Sequence, residues 1–205
     1  MTLLNLFFQG GVLMYVLLLI SILVISIVID KYRLIRLVNV AQDKLKGELF
    51  ASKNLGSLSE LASENAQSSP LAVMLAKMLS LGTDEFALVK ESLESTANME
   101  LHKLEKGMGW LSTFAAVAPL IGFLGTVIGM VRVFMNIQTQ SQSGVDINLL
   151  AGGIWEAMLT TIGGLIVGII AIVLYNDLIQ KLEAIAKDLS DCVIQLIIKK
   201  KELGA

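Results

Sequence analysis

The chain has 205 residues, of which 55% are hydrophobic and 17% are charged, and its mean hydropathy is +0.72. Soluble domains carry about a quarter of charged residues, so this composition indicates an integral membrane protein. The net charge of -2 excludes the basic footprint of a nucleic-acid-binding protein, and a single cysteine excludes an intramolecular disulfide.

The first apolar run lies between Leu3 and Ile29 and contains no charged residue. As a helix it is long enough to cross the roughly 30 Å hydrocarbon core, and we assign the span to residues 12–29, after an outer segment of residues 1–11. No cation precedes the run and no small-residue cleavage pattern follows it, so we expect no cleaved signal peptide. Cations begin at Lys31, which predicts a periplasmic N-terminus and a cytoplasmic continuation.

The region over 30–106 is rich in charged residues and is predicted to be cytoplasmic and helical. Apolar residues recur every three or four positions after the first span, so that helix is expected to continue beyond the membrane. Ser69 before Pro70 is a helix start signal and Gly82 is a helix end signal, which together predict a short helix between them. A long amphipathic helix is expected from Thr83 up to the second span.

Two further apolar segments predict transmembrane helices over 107–135 and 149–176. The residues between them, 136–148, are polar and contain no Lys or Arg, which suits a periplasmic loop. Heptad-like spacing after the third span predicts a cytoplasmic helix over 177–205. Every Lys and Arg except Arg132 then lies on the cytoplasmic side. The predicted fold class is therefore all-α, with three transmembrane helices and long helices extending into the cytoplasm.

Glu156 is the one ionisable residue of the third span. A charge inside the bilayer costs a few kcal/mol or more, so we expect the Glu156 side chain to face a bundle interior or a pore. Small and polar residues form stripes at steps of three and four that let helices approach closely. The stripes are Ala118, Gly122, Gly125, Thr126 and Gly129 in the second span and Gly152, Glu156, Thr160, Gly164 and Gly168 in the third. Glu156, Thr160 and the adjacent Thr161 either line an ion path or form a helix contact in which hydroxyls pack against a neutral acid.

The chain resembles the MotA/TolQ/ExbB proton channel family in two runs, APLIGFLGTVIGM (118–130) and GGIWEAMLTTIGGLIVGIIAIVLYN (152–176). The stretches SPLAVMLAKMLSLG and ESLESTANMELHKLEKGMGWL before the second span extend the resemblance, which covers most of the chain after residue 68. The resemblance is closest to the three-span ExbB/TolQ branch. A MotA-type flagellar stator would have four spans and a longer chain, so that branch fits poorly.

The resemblance implies a homopentamer around the single transmembrane helices of a dimeric partner similar to ExbD or TolR, whose membrane aspartate takes up the proton. It also implies functional residues by matched position. The expected ion-pathway residues are Glu156, Thr126, Thr161 and Asn176, with Thr160 as an additional hydroxyl where small residues are common. The expected pore-structure and kink residues are Pro119, Gly122, Gly125, Gly129 and Gly164.

The function implied is that of an inner-membrane proton-channel subunit, which couples the proton motive force to mechanical work by its partner and acts indirectly on a TonB- or TolA-like protein. TonB-dependent transport across the outer membrane is the leading version. The alternatives are a TolQ-like role in envelope integrity and cell division, or a non-conducting membrane scaffold. A solute transporter is disfavoured because the chain lacks inverted repeats and broken helix pairs. Nucleotide-binding and hydrolase motifs are absent from the sequence, so we expect no enzyme activity, cofactor or metal.

Three further residues have competing interpretations. Arg132 lies where the family does not require a cation, and it either snorkels to outer head groups or pairs with Asp146 or the partner. His102, the only histidine, is interpreted as a solvated helix position rather than a proton-linked switch. Cys192 lies in the heptad seam and is interpreted as a small packing residue. Two threonines near an acid would suit Na⁺, whereas the resemblance favours H⁺.

Overall fold

The computed structural model describes residues 10–51, 55–66, 68–81, 85–139 and 147–204. This part of the chain forms six α-helices and no strand, so the predicted all-α class is confirmed. The helices are α1 (Gly11–Ala51), α2 (Leu55–Asn65), α3 (Pro70–Ser80), α4 (Phe86–Glu105), α5 (Met108–Thr139) and α6 (Ile147–Gly204).

Helices α1, α5 and α6 are each long and apolar enough to cross a membrane. Their most apolar 18-residue windows have mean hydropathies of 3.2, 2.1 and 2.5. Only 22%, 22% and 33% of the residues in these windows are buried within the chain. Most of their apolar side chains therefore face outward, as in helices that contact lipid or other membrane helices. The structure agrees with the prediction of a membrane protein with three spanning helices.

The chain divides into two compact units. The apolar unit comprises Met1–Ile29 and Gly107–Asn176, and the charged unit comprises Asp30–Lys106 and Asp177–Ala205. Almost all charged residues of the sequence belong to the charged unit. This separation is expected of a chain in which one unit lies in lipid, where each charge is costly.

In the apolar unit, α5 and α6 approach each other backbone to backbone. A Cβ atom added at Gly164 would lie 2.6 Å from the Ala118 carbonyl oxygen and 2.8 Å from the Gly122 Cα atom. A Cβ atom added at Gly122 would lie 2.9 Å from the carbonyl oxygen of Thr160. Backbone atoms cannot rotate aside as a side chain can, so these glycines allow a separation that larger residues would prevent.

The same contact continues toward both ends of the two helices. A Cβ atom at Gly129 would lie 2.6 Å from Ala157 Cβ, and one at Gly168 would lie 2.5 Å from Pro119 Cγ. Helix α5 runs through Pro119 without ending, and the proline ring packs against α6 at Gly168. Most positions of the two small-residue stripes therefore lie in one helix–helix contact, whereas an added Cβ atom at Gly152 would meet nothing within 4 Å.

The charged unit has its own hydrophobic core. Each of its helices contributes fully buried large side chains, including Leu45 of α1, Leu58 of α2, Met74 of α3, Leu93 of α4 and Leu189 of α6. Polar contacts join the two long helices as well: the Tyr32 hydroxyl donates to the Asp177 carboxylate, and Lys46 forms an ion pair with Asp188.

Two lysines of the charged unit bind the ends of shorter helices. Lys31 Nζ is buried and donates to the carbonyl oxygen of Leu104, in the last turn of α4, at 2.9 Å. Lys200 Nζ donates to the carbonyl oxygen of Leu81, directly after α3, at 3.1 Å. The last carbonyl groups of a helix lack partners within it and form its negative end, so both cations satisfy and stabilise helix C-termini.

Helix α3 begins as the sequence predicts, at Pro70, with Ser69 in an extended backbone conformation as the N-cap residue. The Ser69 hydroxyl, however, is buried and has no hydrogen-bond partner among the described residues, so it does not cap the helix with its side chain. The predicted roles of Gly82 and Thr83 lie outside the described residues, as do residues 1–9 and most of the predicted periplasmic loop, including Asp146.

Candidate functional site

In the part of the apolar unit that the structure describes, Arg132 on α5 and Glu156 on α6 are the only charged residues. They form an ion pair, in which Arg132 Nη1 lies 3.8 Å from Glu156 Oε1. This separation is longer than a direct hydrogen bond. Their side chains are 63% and 40% exposed in the single chain, so the pair lies at the edge of the unit rather than in its interior.

Glu156 was not among the predicted partners of Arg132, although the small-residue stripes contained the signal. The structure opposes Gly122 with Gly164 and Gly129 with Ala157, which is the register of two antiparallel helices. Continuing that register toward the end of α5 places Arg132 beside Glu156. A charged pair across the contact could therefore have been predicted by aligning the two stripes in opposite directions.

Glu156 lies in a cavity of about 260 Å³ within the apolar unit. Three helices contribute to its wall: the residues are Gly10, Gly11, Val12 and Leu13 at the start of α1, Gly125, Ile128, Gly129 and Arg132 of α5, and Glu156 and Thr160 of α6. Glycines make up four of these ten positions, which leaves room beside the carboxylate. The cavity thus combines a carboxylate, a guanidinium and a hydroxyl in an otherwise apolar wall.

Gly11 brings the backbone of α1 against the Glu156 carboxylate. Its φ of +68° lies in the left-handed region, where residues with a Cβ atom are strained. A Cβ atom at this position would also collide with Glu156 Oε1. The left-handed backbone therefore favours glycine at position 11, whereas the contact with the Glu156 side chain could be relieved by rotation of the carboxylate, and neither feature can be read from the apolar pattern of the first span.

Thr160 is 3% exposed and lies between α5 and α6. Its hydroxyl donates to the Ala157 carbonyl oxygen of its own helix at 2.7 Å, and its Cβ atom would lie 2.6 Å from a Cβ atom added at Gly125. The hydroxyl oxygen keeps its lone pairs as acceptors at the cavity wall. Thr160 thus both packs the helix contact and supplies a polar atom to the cavity.

Thr161 and Thr126 bind backbone carbonyl groups outside the cavity wall. The Thr161 hydroxyl crosses from α6 to α5 and donates to the Gly122 carbonyl oxygen at 2.9 Å. The Thr126 hydroxyl donates to the carbonyl oxygen of Phe123 in its own helix at 2.6 Å. Within the single chain, the cavity brings together Glu156 and Thr160 but not these two threonines.

The remaining predicted residues lie away from the cavity. Asn176 is exposed at the end of the apolar unit, about 30 Å along α6 from Glu156 at the usual helical rise. The His102 side chain is 89% exposed and lies 3.7 Å from Glu105. Cys192 is buried in the charged unit, and this burial raises the pKa of its thiol. A buried thiol with a raised pKa is unreactive, which agrees with a packing role.

The chain is similar to known transport proteins over most of its length. The model of the MotA/TolQ/ExbB proton channel family matches residues 64–191. The putative biopolymer transport protein ExbB-like 1 of Synechocystis sp. is 31% identical over 181 residues, which cover 87% of this chain and 71% of the relative. The putative biopolymer transport protein ExbB homolog of Methanothermobacter thermautotrophicus is 30% identical, with coverages of 91% and 68%. The Tol-Pal system protein TolQ of Haemophilus influenzae is 34% identical over 105 residues, with coverages of 50% and 45%.

Proposed function

The chain belongs to the MotA/TolQ/ExbB proton channel family, in its ExbB/TolQ branch, and on this premise we propose that it is the multi-pass subunit of a proton-driven motor complex. In this proposal it couples the proton motive force to mechanical work by a single-span partner similar to ExbD or TolR. It acts as a transport component and not as an enzyme. The observation that carries the proposal is a carboxylate, Glu156, in a cavity between helices that are long and apolar enough to span the membrane.

Glu156 is proposed to carry or hydrate the proton path, with the hydroxyls of Thr126, Thr160 and Thr161 along the same helices and Asn176 at the cytoplasmic mouth. Each threonine hydroxyl donates its hydrogen to a carbonyl oxygen, so its lone pairs can accept a hydrogen bond from water. A proton that crosses about 100 mV releases about 2.3 kcal/mol. A few protons per cycle therefore supply enough free energy for a mechanical step.

The proposed assembly is a homopentamer around the transmembrane helices of a dimeric partner. Large apolar side chains on the outer faces of α5 and α6 support it, because they are largely exposed in the single chain and need lipid or other helices around them. Examples that are more than half exposed are Leu120, Phe123 and Phe134 of α5 and Ile166 and Ile169 of α6.

We propose the bacterial inner membrane as the location, with the N-terminus in the periplasm and the C-terminus in the cytoplasm. Every Lys and Arg except Arg132 belongs to the charged unit. The positive-inside bias therefore supports a cytoplasmic charged unit.

TonB-dependent transport across the outer membrane is the leading proposal for the driven process, through a TonB-like protein. The two ExbB-like relatives support it, since they cover 87% and 91% of this chain whereas the TolQ relative covers 50%. A TolQ-like role in envelope integrity and cell division, through a TolA-like protein, is the second candidate. The periplasmic domain of the co-purifying partner distinguishes the two.

The decisive experiment is a pull-down of the tagged full-length chain from its own membranes, followed by native mass spectrometry. We expect five copies of the chain together with two copies of a single-span protein that carries an aspartate in its span. Any other stoichiometry of the chain would contradict the pentamer, and recovery of the chain alone would contradict the motor.

Substitutions then separate a channel from a scaffold. Glu156→Ala and Thr126→Ala should leave the complex assembled and abolish partner-dependent work. Glu183→Gln is the matched control, because it neutralises an exposed acid of the same helix outside the apolar unit and should leave activity unchanged. Full activity in both apolar-unit variants would support the non-conducting scaffold instead.

A further inference from the structure

The ion pair in the apolar unit has a role beyond compensating two charges. We propose that Arg132 is the residue that determines ion specificity, because its guanidinium occupies the space beside the Glu156 carboxylate that a metal cation would need. This inference rests on the proposed function and assigns the path to protons, with Na⁺ and other metal cations excluded at Glu156.

The cavity without its arginine would suit a metal cation. Hard cations prefer oxygen ligands, and the wall supplies the Glu156 carboxylate and the Thr160 hydroxyl. A volume of about 260 Å³ is much larger than the roughly 30 Å³ that one water molecule occupies in the liquid, so there is room for water to complete a coordination shell. Carboxylate, hydroxyl and water together form a plausible Na⁺ site.

Arg132 changes this chemistry. A guanidinium is always protonated in proteins and has five donors and no acceptor, so it cannot act as a metal ligand. With Arg132 Nη1 only 3.8 Å from Glu156 Oε1, any metal ion bound to this carboxylate would lie close to a fixed positive charge. Both side chains are partly exposed, so water screens part of the repulsion, but the distance is well below the Debye length of about 8–10 Å and the repulsion persists. A proton differs because it can pass along hydrogen bonds between water and oxygen atoms and needs no coordination shell.

The start of α1 limits the alternatives open to the carboxylate. The backbone at Gly11 lies against Glu156 Oε1, so closely that a Cβ atom would collide with it. The carboxylate therefore lies between the α1 backbone and the guanidinium. Since the pair is longer than a hydrogen bond and partly exposed, it contributes little to the stability of the fold.

The test measures cation binding at Glu156 in the full-length chain in its native membranes. A hydrophobic carbodiimide reacts with protonated carboxyl groups in membranes, and a metal cation bound to the carboxylate slows the reaction. The labelling rate of the Glu156 peptide is followed by mass spectrometry in NaCl and in choline chloride at equal ionic strength. One fixed pH is used, at which every protein compared is labelled, and Glu156→Gln identifies the background.

We expect the same labelling rate in both salts for the unmodified protein and for Arg132→Lys, which keeps the positive charge. In Arg132→Gln, Na⁺ should slow labelling severalfold. Arg132→Met serves as a second neutral variant if Arg132→Gln does not accumulate in membranes. A severalfold Na⁺ effect in the unmodified protein overturns the proposal, and so does an absence of any Na⁺ effect in a folded neutral variant.

The labelling experiment requires neither a partner nor transport activity. Its outcome is therefore independent of the motor proposal. If partner-dependent work is absent but the Na⁺ effect follows the charge at position 132, the function proposal fails while the assignment of Arg132 as a cation-excluding residue remains.

Discussion

Replacing Gly164 with alanine should weaken the contact between α5 and α6 more than any gain in helix propensity can offset. The new Cβ atom would lie 2.6 Å from the Ala118 carbonyl oxygen and 2.8 Å from Gly122 Cα, whereas ordinary Cβ contacts begin near 3.4 Å. The helices would have to separate by about 0.5–1 Å, which forfeits a quarter to a half of the dispersion energy of the contacts that open. Overpacking of this kind costs about 1–3 kcal/mol.

Gly152→Ala is the matched control in the same helix, because nothing lies within 4 Å of its added Cβ atom. Alanine stabilises a helix interior by about 0.5–1 kcal/mol relative to glycine, and both variants receive this gain. We therefore expect Gly152→Ala to be at least as stable as the unmodified chain and Gly164→Ala to be less stable by about 1–2 kcal/mol. The difference between the two variants isolates the helix contact from helix propensity.

The assay is the reversible unfolding of the purified chain in mild detergent by sodium dodecyl sulfate, followed by tryptophan fluorescence and far-ultraviolet circular dichroism. The free energies of unfolding of the two variants are compared at equal protein concentration. Equal stability of Gly164→Ala and Gly152→Ala would mean that α5 and α6 do not approach closely at this position, contrary to the structure.

Three other outcomes follow from the described contacts. Gly11→Ala should destabilise the chain by about 1–2 kcal/mol through its left-handed backbone alone, and it should also displace the Glu156 carboxylate. Gly47→Ala is the control in the same helix, because its added Cβ atom meets nothing within 4 Å, and equal unfolding free energies of the two variants would contradict this prediction. Thr161→Val should lower the free energy of unfolding by about 0.6 kcal/mol, because the hydrogen bond to the Gly122 carbonyl oxygen across the helices disappears. Thr161→Ser should retain most of that free energy, and the same unfolding titration ranks the two variants. Cys192 should react slowly with a water-soluble maleimide at neutral pH and rapidly after unfolding, because burial raises the pKa of its thiol above the ordinary 9.0 and leaves little reactive thiolate. Rapid labelling of the folded protein would show that this part of α6 opens.

The spanning helices could be predicted because their signal is local. Long runs without charge are sufficient to identify a helix that crosses a membrane, and such runs include the segments around Val24, Ala118 and Ile169. The start of α3 at Pro70 is equally local, since proline fixes the backbone angle that the first helical position needs. These features depend on residues close together in the sequence.

The rest of the site depends on residues far apart in the sequence. The pairing of Arg132 with Glu156 requires the register of α5 against α6, which single-residue reasoning did not provide. The preference for glycine at position 11 comes from a left-handed backbone angle, which the apolar pattern does not indicate. The two lysines that bind helix C-termini, Lys31 and Lys200, were predicted only as cytoplasmic charge. The roles of the predicted ion-pathway residues remain predictions.

The ion pair with Arg132 changes what the presence of Glu156 in a membrane helix implies. A lone carboxylate in a membrane helix is so costly that function is the default interpretation. The arginine beside it compensates part of that cost, although paired charges in a low-dielectric medium still pay for desolvation. The cost of burying the carboxylate alone therefore does not distinguish a functional residue from a structural pair, and the Glu156→Ala and Thr126→Ala substitutions make that distinction.

The contact between α5 and α6 also constrains how this chain and its relatives can diverge. Gly122 and Gly164 oppose each other through backbone atoms, so neither position accommodates a methyl group at the present separation of the helices. Thr160 and Gly125 instead share a single side-chain volume, one position filled and its counterpart empty. The first two positions should therefore change only where the helices move apart, and the second two should vary as a pair among homologues, with a larger residue on one helix accompanied by a smaller residue on the other. Sequence divergence in this family would then record the spacing of two helices.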